Sequence, residues 1–215
     1  MITIDSIAVG DEPAAWSAAG FSVDRAVTQL GTVRIELVGK ADGRGIRGWT
    51  LRGAADGAFD GSIDGLPTAR DGEKVHAVEA APVQPNGTTS IDHVVVATPN
   101  FSRTITALDA AGFALRRERE SGTYGAPMRQ AFFRAGEVII EVVGAPGQNG
   151  DGDAVFYGLA LTVADLDATA MFLGDALGNI KDAVQPGRRI ATLRHRQVHL
   201  STAIAFMSPE VPATG

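Results

Sequence analysis

The sequence predicts an α+β fold of paired βαβββ modules, preceded by an abbreviated N-terminal repeat of the same type. Three observations carry this. The phrase GTVRIELVG (31–39) returns as GEVIIEVVG (136–144), aliphatic β-like runs with a glutamate at the matching place, Glu36 and Glu141. Three further echoes, IDSIAV/IDHVVV, AAGFSVDR/AAGFALRR and the weaker RGWTLRGAAD/YGLALTVADL, complete four pairs that recur in the same order, as a duplication with a shortened first copy requires. The second copy then reads as strand, helix and three strands, and the order starts again after GAPGQNGDGD.

The elements of the second copy follow in order. SIDHVVVAT is β-branched and weakly alternating, so it is a strand. PNFSRTITALDAAG follows with Phe101, Ile105, Leu108 and Ala111 at helical spacing and Gly112 placed as the stop. FALRRERE reads as a strand with a charged outer face. After SGTYGAP, the strands MRQAFFR and EVIIEVVG are joined by a tight turn at Ala135-Gly136. AVFYGLALTV is the next strand, ADLDATAMFLGDALG a helix, and IATLRH and STAIAFMSP are strands. QPGRR (185–189) reads as a turn with two solvated arginines. The polar stretch APVQPNGTTS (81–90) is the connector, which divides the chain into a shortened, degenerate repeat at 1–82 and a domain at 90–212, with modules at about 90–145 and 153–210.

Composition bounds the function. The 215 residues suffice for one large domain or two small ones, at 45% hydrophobic and 20% charged. There is no cysteine, which removes disulfides and thiolate metal sites and fits a reducing compartment. A net charge of -6 with no long basic run argues against nucleic acid or an anionic membrane as partner. No apolar run nears the ~18 residues of a spanning helix, and MITIDSIAVG lacks the features of a signal peptide. A soluble cytoplasmic protein is expected, with a homodimer as the candidate assembly.

The phrases IDHVVVATPN, RQAFFRAGEVIIEVVG, YGLALTVADLD and IAFMSP resemble the vicinal oxygen chelate superfamily, which includes glyoxalase I, extradiol ring-cleaving dioxygenases, fosfomycin-resistance enzymes and bleomycin-binding proteins. The resemblance covers about the last 120 residues, and the first 80 through the internal repeat. It implies a cleft between two modules and a divalent metal held by His and Glu from the first and last strands of each module. Carried over residue by residue, those positions are His93, Glu141, Gly158 and Ala205, so two of the four ligands are missing. In the shortened copy they fall on Ser6, Glu36 and Gly48. Catalytic sites normally supply three protein ligands, so no metal cofactor is expected; Zn, Fe, Mn or Ni at His93 and Glu141 would need further ligands from elsewhere. His76, His195 and His199 remain, and RHRQVH reads as a strand end with an exposed basic face.

Strand alternation places His93, Val95 and Ala97 on one face, and Ile139, Glu141 and Val143 together. With Ala135-Gly136 as a two-residue turn, Gln130 lies directly opposite Glu141. His93, Gln130 and Glu141 are therefore the expected ligand-binding residues, in a pocket walled by Val95, Ile139 and Leu159 or their neighbours. Phe132 and Phe133 fall on opposite faces, and Trp16 and Trp49 read as core anchors. Two function classes stay open: a metal-independent protein that binds a small organic molecule, or a metal-dependent lyase, isomerase or dioxygenase using His93 and Glu141. The residues do not decide whether the chain is catalytic.

Overall fold

The computed structural model describes residues 1–71, 81–122 and 127–210; His76 and most of the SGTYGAP loop lie outside them. Two mixed sheets organise the chain. The N-terminal half runs β1 (Thr3–Val9), α1 (Pro13–Ala18), β2 (Val27–Leu30), β3 (Val33–Leu37), β4 (Ile46–Arg52), β5 (Ser62–Ile63) and β6 (Leu66–Arg70). These strands form a six-stranded sheet in the order β2-β3-β1-β4-β6-β5. The C-terminal half begins with β7 (Thr88–Ala97), α2 (Phe101–Ala110), β8 (Leu115–Ser121), β9 (Met128–Ala135) and β10 (Val138–Gly144). It continues with β11 (Val155–Val163), α3 (Leu166–Leu173), a single 3-10 turn, β12 (Lys181–Asp182), β13 (Arg189–Thr192) and β14 (Ala203–Met207). Its eight strands run β12-β13-β14-β11-β7-β10-β9-β8.

The repeat holds at the level of register. β1 pairs in parallel with β3 and antiparallel to β4, as β7 does with β10 and β11. Glu36 stands beside Ala8, and Glu141 beside the equivalent Val95. Gly48 then faces Ala8, and Gly158 faces Val95. The two glutamate strands therefore occupy the same place in two sheets. The first copy is shorter because it has no counterpart of β8 among the described residues, and a short chain replaces the α3 connection.

One irregularity recurs at four equivalent places, apart from a further slip at Thr89 of β7. The pairing of β1 with β4 slips by one residue at Asp5 and again at Arg47, and that of β7 with β11 at Asp92 and Tyr157. Each is the residue immediately before Ser6, Gly48, His93 or Gly158. An extra residue in one strand is a β-bulge, which re-aims side chains. Here it keeps Ile91 and Val94 both in the core, and Asp92 and His93 both leave that face.

A single apolar cluster joins the two sheets. Ile7, Val9, Ile35 and Trp49 contribute from the first, and Val94, Val96, Ile140 and Leu161 from the second. Both tryptophans are core anchors: Trp16 is fully buried, and the Trp49 ring lies 5.0 Å from Phe156 and 6.1 Å from Phe113. α2 packs through Phe101, Thr104 and Leu108, is capped by Asn100, and ends at Gly112 with φ +96. Gln84 and Asn86 of the connector are buried and bonded to the first half, for example Ser22 N to Gln84 Oε1 at 2.8 Å. No helix among the described residues is long and apolar enough to cross a membrane.

Candidate functional site

The face of the eight-stranded sheet turned away from the core carries the sequence-predicted residues. The turn between β9 and β10 corrects one expectation. Ala135 pairs with Val138, so the two-residue loop is Gly136-Glu137, and Phe132 rather than Gln130 stands opposite Glu141. The cause is conformational. Gly136 has φ +69, which a II′ turn demands at its first loop position, so the glycine opens the loop rather than closing it. The slip is an even number of residues, so Gln130 keeps its face and becomes a diagonal neighbour of Glu141.

From that position Gln130 Nε2 donates to Glu141 Oε1. Arg119 Nε, from the edge strand β8, donates to Gln130 Oε1 at 2.6 Å. The chain Arg119–Gln130–Glu141 therefore fixes which end of the Gln130 amide faces the carboxylate. Gln130 is fully buried and Glu141 half-buried, and Glu141 Oε2 accepts no hydrogen bond among the described residues. Phe132 lies between this chain and His93: the Arg119 guanidinium sits 5.2 Å over its ring, and the His93 ring meets it edge-on at 6.4 Å. Phe133, on the other face, is in the core.

His93 is buried, and its environment is set by the bulge. Its Nδ1 lies 2.5 Å from Asp92 Oδ1. Asp92 Oδ2 is 2.6 Å from Arg188 Nη2 and accepts from Thr162 Oγ1 at 3.0 Å. Burial alone would push the Asp92 carboxyl up, but the His93 imidazole and the Arg188 guanidinium together hold it well below the usual carboxylate range. The contact with His93 lacks hydrogen-bond alignment. The ring N–H does not point along it, and Oδ1 has no aligned hydrogen-bond donor among the described residues. Arg188 corrects the reading of QPGRR as two solvated arginines. Only Arg189 faces solvent, paired with Asp167 at 2.7 Å, while Arg188 is buried, also donating from Nε to the Ser208 carbonyl at 2.9 Å. Two adjacent identical residues carry no signal to separate them. The bulge had one, in the apolar-x-x-apolar spacing of IDHV and IDSI, which breaks strand alternation.

Leu159 does not wall this face. It pairs with Val94 and is buried in the core, leaving Gly158 and Ala160 at that level. His195 is half-buried and His199 exposed, in a turn before β14.

The donor set does not fit the metal that the resemblance implies. Gly158 and Ala205 offer no side-chain donor. A Cβ on Gly158 would lie 2.9 Å from that of Ala203 and closer still to the Ala203 carbonyl oxygen, so the backbone leaves no room for a ligand there. Among the described residues no group of three or more His, Asp or Glu is placed to hold a metal ion. The first sheet is further from a site. Ser6 stands at the His93 position, and Arg34, beside it, lies 2.5 Å from Asp5 and 3.8 Å from Glu36, so the Glu141 counterpart has a guanidinium for a neighbour.

No protein-family model matches the sequence, and no curated protein matches it. Solved structures do. A xylose isomerase-like TIM barrel/4-hydroxyphenylpyruvate dioxygenase fusion protein aligns over 99% of this chain and 49% of its own, with a TM-score of 0.60 at 11% identity. This chain has the vicinal oxygen chelate fold. It spans about half of that fusion protein. Shorter alignments, over 58% of this chain, reach methylmalonyl-CoA epimerase from Mycobacterium tuberculosis at 20% identity, 91% of that chain and TM-score 0.47. The Streptomyces coelicolor methylmalonyl-CoA epimerase in complex with 2-nitronate-propionyl-CoA aligns over 58% of this chain and 99% of its own, with 19% identity and TM-score 0.47. The vicinal oxygen chelate fold rests on the full-length match and on the register of the repeat.

Proposed function

We propose that this vicinal oxygen chelate-fold protein binds a small organic molecule without a metal cofactor, with Glu141, Gln130 and His93 as polar contacts on the site face. The observation that carries the reading is the second oxygen of Glu141, which has no hydrogen-bond partner among the described residues. Its partner oxygen is held by Gln130, which Arg119 holds in turn, so the carboxylate is oriented yet retains an acceptor. A group fixed in this way selects a ligand that brings a hydrogen-bond donor or a cation. We read residues 1–82 as the degenerate repeat and 90–212 as the ligand-binding domain, in a cytoplasmic protein with a homodimer as its candidate assembly.

A thermal-shift screen of small amines, alcohols and amides against wild type and Glu141→Gln tests the proposal. The expected result is a ligand that stabilises the wild type and binds Glu141→Gln more weakly by about 1–3 kcal/mol, the range of a charge-assisted hydrogen bond. Metal analysis of protein purified without chelator should find well under one equivalent of Zn, Fe, Mn or Ni. Stoichiometric metal that is lost in His93→Ala would overturn the metal-free reading in favour of a metal-dependent lyase, isomerase or dioxygenase.

A further inference from the structure

Gln130 spans Arg119 and Glu141 with a single amide, and it uses only part of what each offers. Its Oε1 accepts from Arg119 Nε at 2.6 Å, and its Nε2 donates to Glu141 Oε1. Glu141 Oε2 and the two Nη atoms of Arg119 hydrogen-bond to nothing among the described residues. None of these three atoms is buried, so a ligand can reach them. The amide between them is fully buried, which holds the two charged ends a single amide apart.

A second measure places the guanidinium beside the carboxylate. Phe132 stands directly opposite Glu141 on β9, and the Arg119 guanidinium carbon lies 5.2 Å from the centre of its ring. Glu118, the carboxylate next to Arg119 on β8, is engaged by Arg129 at 3.0 Å. On the other side of Glu141 the row continues through Val95 to Gly158, which makes an apolar floor.

The Gln130 amide is a template for what fits the open atoms. It meets the guanidinium with an acceptor and the carboxylate with a donor. A molecule that fills the open positions must bring the same pair in the same order, an acceptor toward Arg119 Nη and a donor toward Glu141 Oε2. Because one end is a cation and the other an anion, a carboxylate and an ammonium joined through one carbon match them best. A lone acid would pair with Arg119 but stand close to the Glu141 carboxylate. A lone amine would pair with Glu141 but stand close to the guanidinium. Each would meet a like charge that the zwitterion balances.

We infer that the Glu141 site takes the zwitterionic head group of an α-amino acid with an apolar side chain. The ammonium donates to Glu141 Oε2, the carboxylate accepts from Arg119 Nη, and the side chain lies over Val95 and Gly158. This assignment rests on the Glu141 reading and adds Arg119 as the residue that selects for the carboxylate.

Isothermal titration calorimetry with three probes of one carbon skeleton tests it: L-leucine, isoamylamine, which lacks the carboxylate, and isocaproate, which lacks the ammonium. L-Leucine should bind the wild type best, with each truncated probe about tenfold or more weaker, as expected for the loss of one charge-assisted hydrogen bond. In Arg119→Met, L-leucine should fall to the affinity of isoamylamine. A merely structural role for Arg119 would weaken both probes and leave their ratio unchanged, which would overturn the assignment. Glu141→Gln should weaken L-leucine and isoamylamine alike and spare isocaproate. Equal affinity of the wild type for L-leucine and isoamylamine, with both weakened by Glu141→Gln, would overturn the amino-acid assignment and leave the Glu141 reading standing. Binding of L-leucine that is indifferent to Glu141→Gln would sink both. Absence of binding by all three probes would also overturn the assignment, and the thermal-shift screen then decides the Glu141 reading alone.

Discussion

Gly158 and Ala203 face each other across β11 and β14 so closely that a Cβ on Gly158 would stand 2.9 Å from that of Ala203. The equivalent Gly48 meets Pro67 in the same way, its added Cβ 2.9 Å from the Pro67 carbonyl oxygen. Both glycines therefore stand at close approaches of two strands, where the obstacle is backbone. Gly158→Ala should destabilise the fold by about 1–3 kcal/mol, the usual cost of overpacking, measured by urea denaturation. Gly158→His should cost more and still bind no stoichiometric metal. A stable Gly158→His protein that takes up one equivalent of Zn would show that the strands part readily.

The buried Asp92–Arg188 pair predicts a different pattern. Removing one member, in Asp92→Asn or Arg188→Met, should cost about 3–5 kcal/mol, because it strands the other charge. The double variant should recover much of that loss. The pH dependence follows from the depressed Asp92 pKa. The carboxylate binds its proton less readily in the folded chain than in the unfolded one. Its contribution is complete above the ordinary carboxylate range and declines as the pH falls below about 4. Urea midpoints between neutral pH and pH 3 should therefore fall further for the wild type than for the double variant; parallel curves would refute the coupling.

The sequence disclosed the repeat to the residue, because IDSIAV and IDHVVV keep the same register against their glutamate strands. Binary patterning carries that information along each strand. It does not carry departures from period two. The bulge at Asp92 turns two neighbouring side chains off the core face, and strict alternation assigns them opposite faces. An Ala-Gly-Glu string permits two turns one residue apart, and only the sign of φ at Gly136 places the loop at Gly136-Glu137. Arg188 was illegible for another reason: its partner Asp92 lies far away in sequence, and nothing local distinguishes it from Arg189.

The Arg119–Gln130–Glu141 chain should respond in a graded way. Glu141→Gln preserves an acceptor for Gln130 and should leave stability within about 1 kcal/mol of wild type. Gln130→Ala removes the middle of the chain from a fully buried position, and leaves the Arg119 Nε–H and Glu141 Oε1 without this partner. That variant should lose about 1–3 kcal/mol in thermal or urea unfolding. If Glu141→Gln unfolds the protein while Gln130→Ala is silent, Glu141 is structural and its role in binding fails.

The last prediction concerns the joint between the halves. Trp49 of β4 places its ring against Phe113 and Phe156 of the second half, while its Nε1 donates to Thr68 Oγ1 at 2.8 Å. Trp49→Ala should therefore cost about 3–5 kcal/mol through the cavity it opens in the shared core. Trp49→Phe should cost less, because it keeps an aromatic ring in contact and loses only the indole bond; Thr68 still donates to the Leu66 carbonyl at 2.8 Å. Near the joint, Asp64 accepts from Arg103 Nε and from Thr104 Oγ1, both at 2.5 Å, tying the β5–β6 turn to α2. Asp64→Ala leaves Arg103, among the described residues, with the Gly150 and Gly152 carbonyls as acceptors, and should lower stability by about 1–3 kcal/mol. Both losses should appear in a single unfolding transition followed by tryptophan fluorescence and far-UV circular dichroism together, because the two sheets share one core. Two separate transitions, with Trp49→Ala shifting only the first, would mean that the halves unfold independently.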